Sequence, residues 1–295
     1  WLALSATTFI AAFIFRAWRW KILLIPVKNP VKVSNTFWTT TIGFMVNVLV
    51  PIRLGEFVRA YILSRKEKLS FAGCFSSIIV ERTLDLFGLI ILGLAMLLII
   101  PVDANVPPWF LDAFKAVGII IATLLIVIII STRKEEATTR LLTQILSKLP
   151  IISQRKNRII NSVRALIDGM KAVSQSPKLL VATLIPTFSI WLLELLNIWL
   201  VFKAFTHPAS LTIILLGAVV VWLTQALPAA PGYVGTYEAY WLLIFLGLGL
   251  TQTSLLLAIG LTVHLVQLLI IIALGSIGVV WLGLSFEEIF KIRKT

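Results

Sequence analysis

Charge is what this chain has least of. Asp, Glu, Lys and Arg together make up 13% of 295 residues, about half the share found in an ordinary soluble domain. With 59% hydrophobic residues and a mean hydropathy of +1.00, a soluble globular class is excluded, and an all-α polytopic integral membrane protein is expected. Cysteine is almost missing as well. The single thiol, Cys74, excludes an intrachain disulfide and any cysteine-rich metal site, and reads as a small packing residue. The two histidines do not stand at ligand spacing, so neither a metal nor another cofactor is expected. An Asp-rich pair of the kind that chelates magnesium diphosphate is lacking too.

Acidic residues are also scarce, 13 against 26 basic ones, which leaves a net charge of +13. The basic residues flank apolar runs instead of forming one patch, so membrane topology accounts for them and a nucleic-acid partner is not expected. Those runs cover Leu2 to Phe15, Val33 to Val50, Leu84 to Ile100, Val117 to Ser131, Leu179 to Phe202, Leu211 to Leu227, Tyr240 to Leu250 and Leu255 to Leu284. Of the 26 lysines and arginines, 23 fall in four clusters, Arg16 to Lys32, Arg53 to Lys68, Arg133 to Lys178 and Lys291 to Lys294. Placing all four on the cytoplasmic side makes Val102 to Asp112 and Lys203 to Ser210 external and the C-terminus cytoplasmic. The protein is then a multi-pass protein of the cell membrane.

That assignment puts both flanks of residues 33 to 63 inside and both flanks of residues 211 to 250 outside, so each segment crosses an even number of times. The limb from Pro51 to Leu63 has about 13 residues, roughly 20 Å of helix, which is short for a full crossing. Both segments therefore read as re-entrant helical hairpins entering from opposite sides. Their tips carry related patterns: Pro51-Ile52-Arg53-Leu54-Gly55-Glu56, and Pro231-Gly232-Tyr233-Val234-Gly235-Thr236-Tyr237-Glu238 shortly after Pro228. Paired interruptions in the two halves of a membrane chain point to a transport site at a repeat interface. The competing reading of the second is a proline kink within one full helix. The expected organisation is a membrane half over 1–131, a basic connector over 132–178 with amphipathic spacing from Ile159 to Met170, and a second membrane half over 179–295.

Ionisable groups inside the apolar runs are the candidate functional residues. Asn47, Arg53, Glu56 and Arg59 surround the first tip, and Glu238 follows the second. Glu81, Arg82 and Asp85 share helical neighbours, as an ion-pair lock or a headgroup site. Glu194, one turn before Asn197, requires a basic partner or a proton-coupled role. His264 and Gln267 share a face of the last helix, and the histidine reads as a hydrogen-bonded packing residue.

Taken together, Asn47, Pro51, Arg53, Gly55, Glu56 and Arg59, then Glu81, Arg82 and Asp85, then Pro228, Pro231, Gly232, Gly235 and Glu238 resemble the signature of the lysylphosphatidylglycerol synthase transmembrane-region family, the flippase-like membrane proteins. The resemblance covers nearly the whole chain. It implies a multi-helix domain that moves lipids such as aminoacylated phosphatidylglycerol or handles polyprenyl-linked glycans. The family usually carries a further N-terminal span, and its bifunctional members a soluble aminoacyl-transferase domain; the chain opens on Trp1 and ends at Thr295, so the translocating part without the synthetic part is expected. The first motif has Ile52 where glycine commonly follows the proline.

The expected function is a transporter for an anionic phospholipid or polyprenyl-linked lipid. Arg53, Arg59 and Arg82 would meet the headgroup, because guanidinium pairs phosphate bidentately. Glu56, Glu81, Asp85 and Glu238 would neutralise those arginines when the site is empty, and the tip glycines would permit the broken backbone. The alternatives are an intramembrane enzyme on a polyprenyl phosphate, with Glu56, Glu81 or Asp85 as base or Mg²⁺ ligand, and a scaffold that transports nothing.

Overall fold

The computed structural model describes residues 1–27, 30–50, 54–99, 176–225, 230–285 and 287, together with isolated positions between 112 and 167. Pro51, Ile52, Arg53, Pro228 and nearly all of the basic connector lie outside the described residues. Among the described residues every regular element is helical. In chain order they are α1 (Leu2–Leu23), α2 (Val33–Leu49), α3 (Gly55–Glu67), α4 (Phe71–Ile99), α5 (Pro177–Ala204), α6 (Leu211–Thr224), a 3-10 turn (Pro231–Tyr233), α7 (Thr236–Gly247) and α8 (Thr253–Trp281).

Local chemistry sets most of the boundaries. Ser176 and Ser210 accept the backbone N–H of Leu179 and Ile213 and so cap α5 and α6, with Pro177 placed where its missing N–H costs nothing. Val50, the residue before Pro51, is extended (φ −118°, ψ 129°), which ends α2. Three helices, α1, α5 and α8, are long and apolar enough to cross a membrane. By contrast, α2, α3, α6 and α7 have only 17, 13, 14 and 12 residues, or about 18 to 25 Å at about 1.5 Å per residue.

The long helices frame the short ones. α1 runs antiparallel along α5, with Ser5 bonded to Asn197 near one end and Leu23 clustered with Leu179 near the other. The turn after α1, the start of α2, the end of α3 and the start of α4 share that second end, where Trp20, Leu24, Val31, Leu63 and Cys74 pack together. The Lys32 N–H and the Asn35 amide both donate to Glu67 there. The end of α8 joins them, since Trp281 lies against Trp38. Exposed Lys32, Arg65, Lys66, Lys68 and Lys178 therefore gather at one end of the bundle.

The α2–α3 hairpin thus starts and finishes at the basic end, and the α6–α7 hairpin starts and finishes at the other. Their tips touch: a Cβ placed on Gly232 would lie 3.6 Å from the Val48 carbonyl oxygen. The contact falls beside the middle of α8, which passes Met45 at Gly275 and the second tip at His264. Between α6 and α7 the backbone is broken, not kinked, with positive φ at Gly232 (62°), Tyr233 (59°) and Gly235 (79°). Glycine accommodates two of these positions without Cβ strain.

The first basic cluster needs correction. Arg16 and Arg19 were assigned with Lys32 to a cytoplasmic flank, but α1 continues through both to Leu23. Arg19 is wholly buried and Arg16 nearly so. Ala17 and Trp20 beside them lie on the same buried face, and carboxylates from other helices supply the countercharge.

Candidate functional site

Five ionised side chains from three helices meet on the inner face of α4. Glu81 is buried at the centre. Arg19 of α1 places Nη2 at 3.2 Å from Glu81 Oε1 and Nη1 at 2.6 Å from Asp85 Oδ1. The latter nitrogen also donates to Thr187 Oγ1 of α5 at 3.2 Å. Arg59 of α3 reaches Glu81 at 3.2 Å while its guanidinium lies 4.9 Å from the Trp20 ring centroid. Arg82 turns back to Glu81 at 2.7 Å and to Asp85 at 3.3 Å. Three guanidinium groups share two carboxylates, and an arrangement this deep persists only because each charge is paired.

The pairing is incomplete in hydrogen-bonding terms. Arg19 Nε, Arg59 Nη2, Arg82 Nε and Glu81 Oε2 are buried without a hydrogen-bond partner, since the Arg59 Nη2 contact with Glu81 Oε2 lacks donor alignment. Arg82 is packed among charged neighbours yet keeps 39% of its side chain accessible, whereas Arg19 keeps none and Arg59 2%. Arg82 is therefore the open member of the cluster, and Arg19 and Arg59 form its enclosed floor.

The first hairpin tip is held by its own residues. Asn47 accepts the Gly55 N–H at 2.7 Å, capping α3 from the neighbouring helix, and donates to Glu56 at 3.1 Å. Gly43 and Gly55 let α2 and α3 approach so closely that a Cβ on either would strike the other's carbonyl. Glu56 lies within electrostatic reach of Arg59 and Arg82. Asn47, expected at the substrate, has both amide ends engaged in binding the two limbs together.

The second tip has a separate polar centre. Glu238 Oε2 accepts the Gly235 N–H at 2.7 Å, closing the start of α7, and Oε1 lies 2.6 Å from His264 Nδ1. The other ring nitrogen lies 2.8 Å from the Gly232 carbonyl. Glu238 was expected to neutralise the arginines. Its contacts run to His264 and Gly235 instead, because the tip folds it back over its own helix start. Among the described residues no group of three His, Cys, Asp or Glu is placed to hold a metal.

Glu194 has the basic partner its position required: Arg16 Nη2 at 2.8 Å. Arg16 also stands over Phe13 and Phe44, at 5.4 and 5.3 Å. Asn197 donates to Ser5 and accepts from Gln267, tying α1, α5 and α8. The residues missed from sequence are Arg16, Arg19 and Thr187. A signal was present in Phe15-Arg16-Ala17-Trp18-Arg19-Trp20, where two arginines three apart stand among aromatics within a run that meets no proline before Pro26.

Residues 1–275 match the sequence profile of the lysylphosphatidylglycerol synthase TM region. The chain belongs to that family. Two UPF0104 membrane proteins of Methanothermobacter thermautotrophicus are each 24% identical to it, one over 92% of this chain and 82% of the relative, the other over 98% and 85%. A UPF0104 membrane protein of Methanocaldococcus jannaschii is 22% identical over 77% of this chain and 68% of its own length. No solved structure matches the chain.

Proposed function

We propose that this membrane protein carries an anionic lipid headgroup, of a phospholipid or a polyprenyl-linked lipid, between the two leaflets of the cell membrane. The observation that carries the reading is the unequal exposure of three arginines on one charge cluster: Arg82 keeps an open face while Arg19 and Arg59 are buried. A phosphate arriving at that face would meet the Arg82 guanidinium, and it can displace Asp85 from Arg82 without unpairing Asp85 from Arg19. Two short hairpins that enter from opposite ends and touch at their tips support an inverted-repeat arrangement, in which a central site opens alternately to either side. In that arrangement the basic end faces the cytoplasm, and the hairpins are re-entrant. The family membership supports a lipid as the cargo class.

The purified protein in proteoliposomes carrying fluorescent phosphatidylglycerol in one leaflet provides the test, with the zwitterionic phosphatidylcholine analogue alongside. The anionic lipid is expected to redistribute faster than in protein-free vesicles, and to be recovered chemically unchanged with or without Mg²⁺. Equal redistribution of both lipids, or neither, counts against the reading, and a modified product would support an intramembrane enzyme. Mass spectrometry of co-purifying lipids distinguishes phospholipid from polyprenyl-linked cargo.

A further inference from the structure

His264 faces two acceptors at once. Gly232 offers only a carbonyl oxygen, 2.8 Å from Nε2, and Glu238 presents Oε1 2.6 Å from Nδ1. A neutral imidazole has a single N–H. With that hydrogen on Nε2 the Nδ1 lone pair meets the carboxylate; with it on Nδ1 the Nε2 lone pair meets the carbonyl. Both contacts are made together only when the pair holds one more proton, as imidazolium with carboxylate or as imidazole with carboxylic acid. We infer that His264 and Glu238 form a proton-binding site that is filled when the second hairpin tip is seated, so that a proton is the coupling ion for movement of that tip. This rests on the proposed transport role and adds its energy source.

Among the described residues the surroundings leave the pair little choice of other partner. From α7, Tyr237 stacks on the imidazole with centroids 4.5 Å apart and offers no in-plane contact. On α8, Gln267 is bonded to Asn197 of α5. Glu194 of α5, whose charge reaches Tyr237, is held by Arg16 of α1. α2 and α6 contain no ionisable side chain. His264 is 6% accessible and Glu238 14%, so the proton can exchange through the carboxylate side. Its release leaves neutral imidazole, carboxylate and a hydrated proton, and it sets a lone pair against Glu238 or against Gly232. The seated tip, whose Gly232 touches Val48 of the first hairpin, then loses one of its two ties to α8.

Glu238→Gln isolates the proton. Its amide N–H can donate to Nδ1 while Nε2–H donates to Gly232, and its carbonyl can still accept the Gly235 N–H. The tip stays seated with no added proton. The experiment uses Cys74→Ser with Val48→Cys, a half-buried side chain of the first hairpin that the seated Gly232 lies against, in liposomes. Its thiol-labelling rate is divided by that of the SDS-unfolded chain at the same pH. Protection is expected to fall by up to about tenfold per pH unit above the pair's midpoint, as release of one proton requires, and to stay flat once Glu238→Gln is added. Protection that does not vary with pH in the parent, or varies equally in the variant, overturns the inference. If the variant fails to fold, nitrogen-15 spectra of histidine-labelled protein decide: a His264 Nδ1 signal that does not move with pH overturns it. The same vesicles under an imposed pH gradient separate the two proposals. Labelling as expected with no movement of phosphatidylglycerol sinks the transport reading and leaves the proton site standing.

Discussion

Arg19 and Arg82 contact the same two carboxylates, yet their replacement by glutamine is expected to have opposite consequences. Arg19 has no accessible side-chain surface and holds Glu81 at 3.2 Å and Asp85 at 2.6 Å. Removing it leaves buried Glu81 with Arg59 and Arg82 and part-buried Asp85 with Arg82 alone, at 3.3 Å, a loss of roughly 3 to 5 kcal/mol for breaking a buried pair from one side. Arg82 is 39% accessible, and without it Glu81 keeps Arg19 and Arg59 while Asp85 keeps Arg19. No carboxylate is stranded, and solvent screening limits the loss to about 1 kcal/mol or less. Arg19→Gln should therefore lower yield and shift the thermal unfolding of the detergent-solubilised protein, whereas Arg82→Gln should elute as a single species with a nearly unchanged midpoint and fail to move lipid. Adding Asp85→Asn to Arg82→Gln should leave both properties as they are. An Arg82→Gln protein that is as unstable as Arg19→Gln, or that regains transport when Asp85→Asn is added, would refute the division into floor and contact residue.

The remaining expectations concern the hairpins and the orientation. Gly55→Ala forces a Cβ onto the Gly43 carbonyl and should cost about 1 to 3 kcal/mol, seen as a lower melting temperature; a neutral effect would deny the close approach of α2 and α3. Asn47→Ala removes the cap on the Gly55 N–H and should lose about 1 kcal/mol while lipid still binds, whereas lost lipid binding at unchanged stability would return Asn47 to the substrate. With Cys74 replaced by serine, cysteines at Val48 and Val234, whose side chains flank Gly232 at 3.8 and 3.7 Å, should crosslink; no crosslink under oxidant would separate the tips. A cysteine at Ser210 should react with an impermeant reagent outside intact cells and one at Lys66 should not, and the reverse pattern would invert the orientation.

Architecture was legible in this sequence because two independent constraints agreed. Short apolar limbs read as hairpins and the clustered basic residues as one shared end; α2 does pair with α3 and α6 with α7, and Lys32, Arg65, Lys66, Lys68 and Lys178 do gather at one end. The site was only half legible for the same physical reason. Counting positive charge treats arginine and lysine alike, whereas the two separate in the structure. Arg16, Arg19 and Arg59 are buried, their guanidinium groups each satisfying carboxylates and lying over aromatic rings or beside hydroxyls, while Lys32, Lys66 and Lys68 are exposed. A planar, weakly hydrated ion with five donors can be desolvated at a cost that its partners offset, and a compact ammonium cannot do so as readily. Arg16 and Arg19 were therefore misread as flank because nothing in spacing alone reveals Glu194, Asp85 and Thr187 on helices that arrive far later in the chain.

The same limit applies to Glu238. Its likeness to Glu56, each following a Pro-x-x-x-Gly tip, suggested one shared role, but the two tips face different chemistry. Glu56 stands one turn from Arg59 and takes a hydrogen bond from Asn47, neighbours that do not titrate near neutrality. Glu238 meets an imidazole, the one side chain whose charge changes between about pH 5 and 8 without help. Related backbone motifs thus meet an amide and a guanidinium in one case and an imidazole in the other. If the two hairpins move against each other, headgroup contact falls to the α4 cluster that Arg59 of the first hairpin joins, and proton exchange to the second tip. An Arg82→Gln protein that retains pH-dependent protection at Val48 would show that the two roles are separable, and loss of both together would merge them into one site.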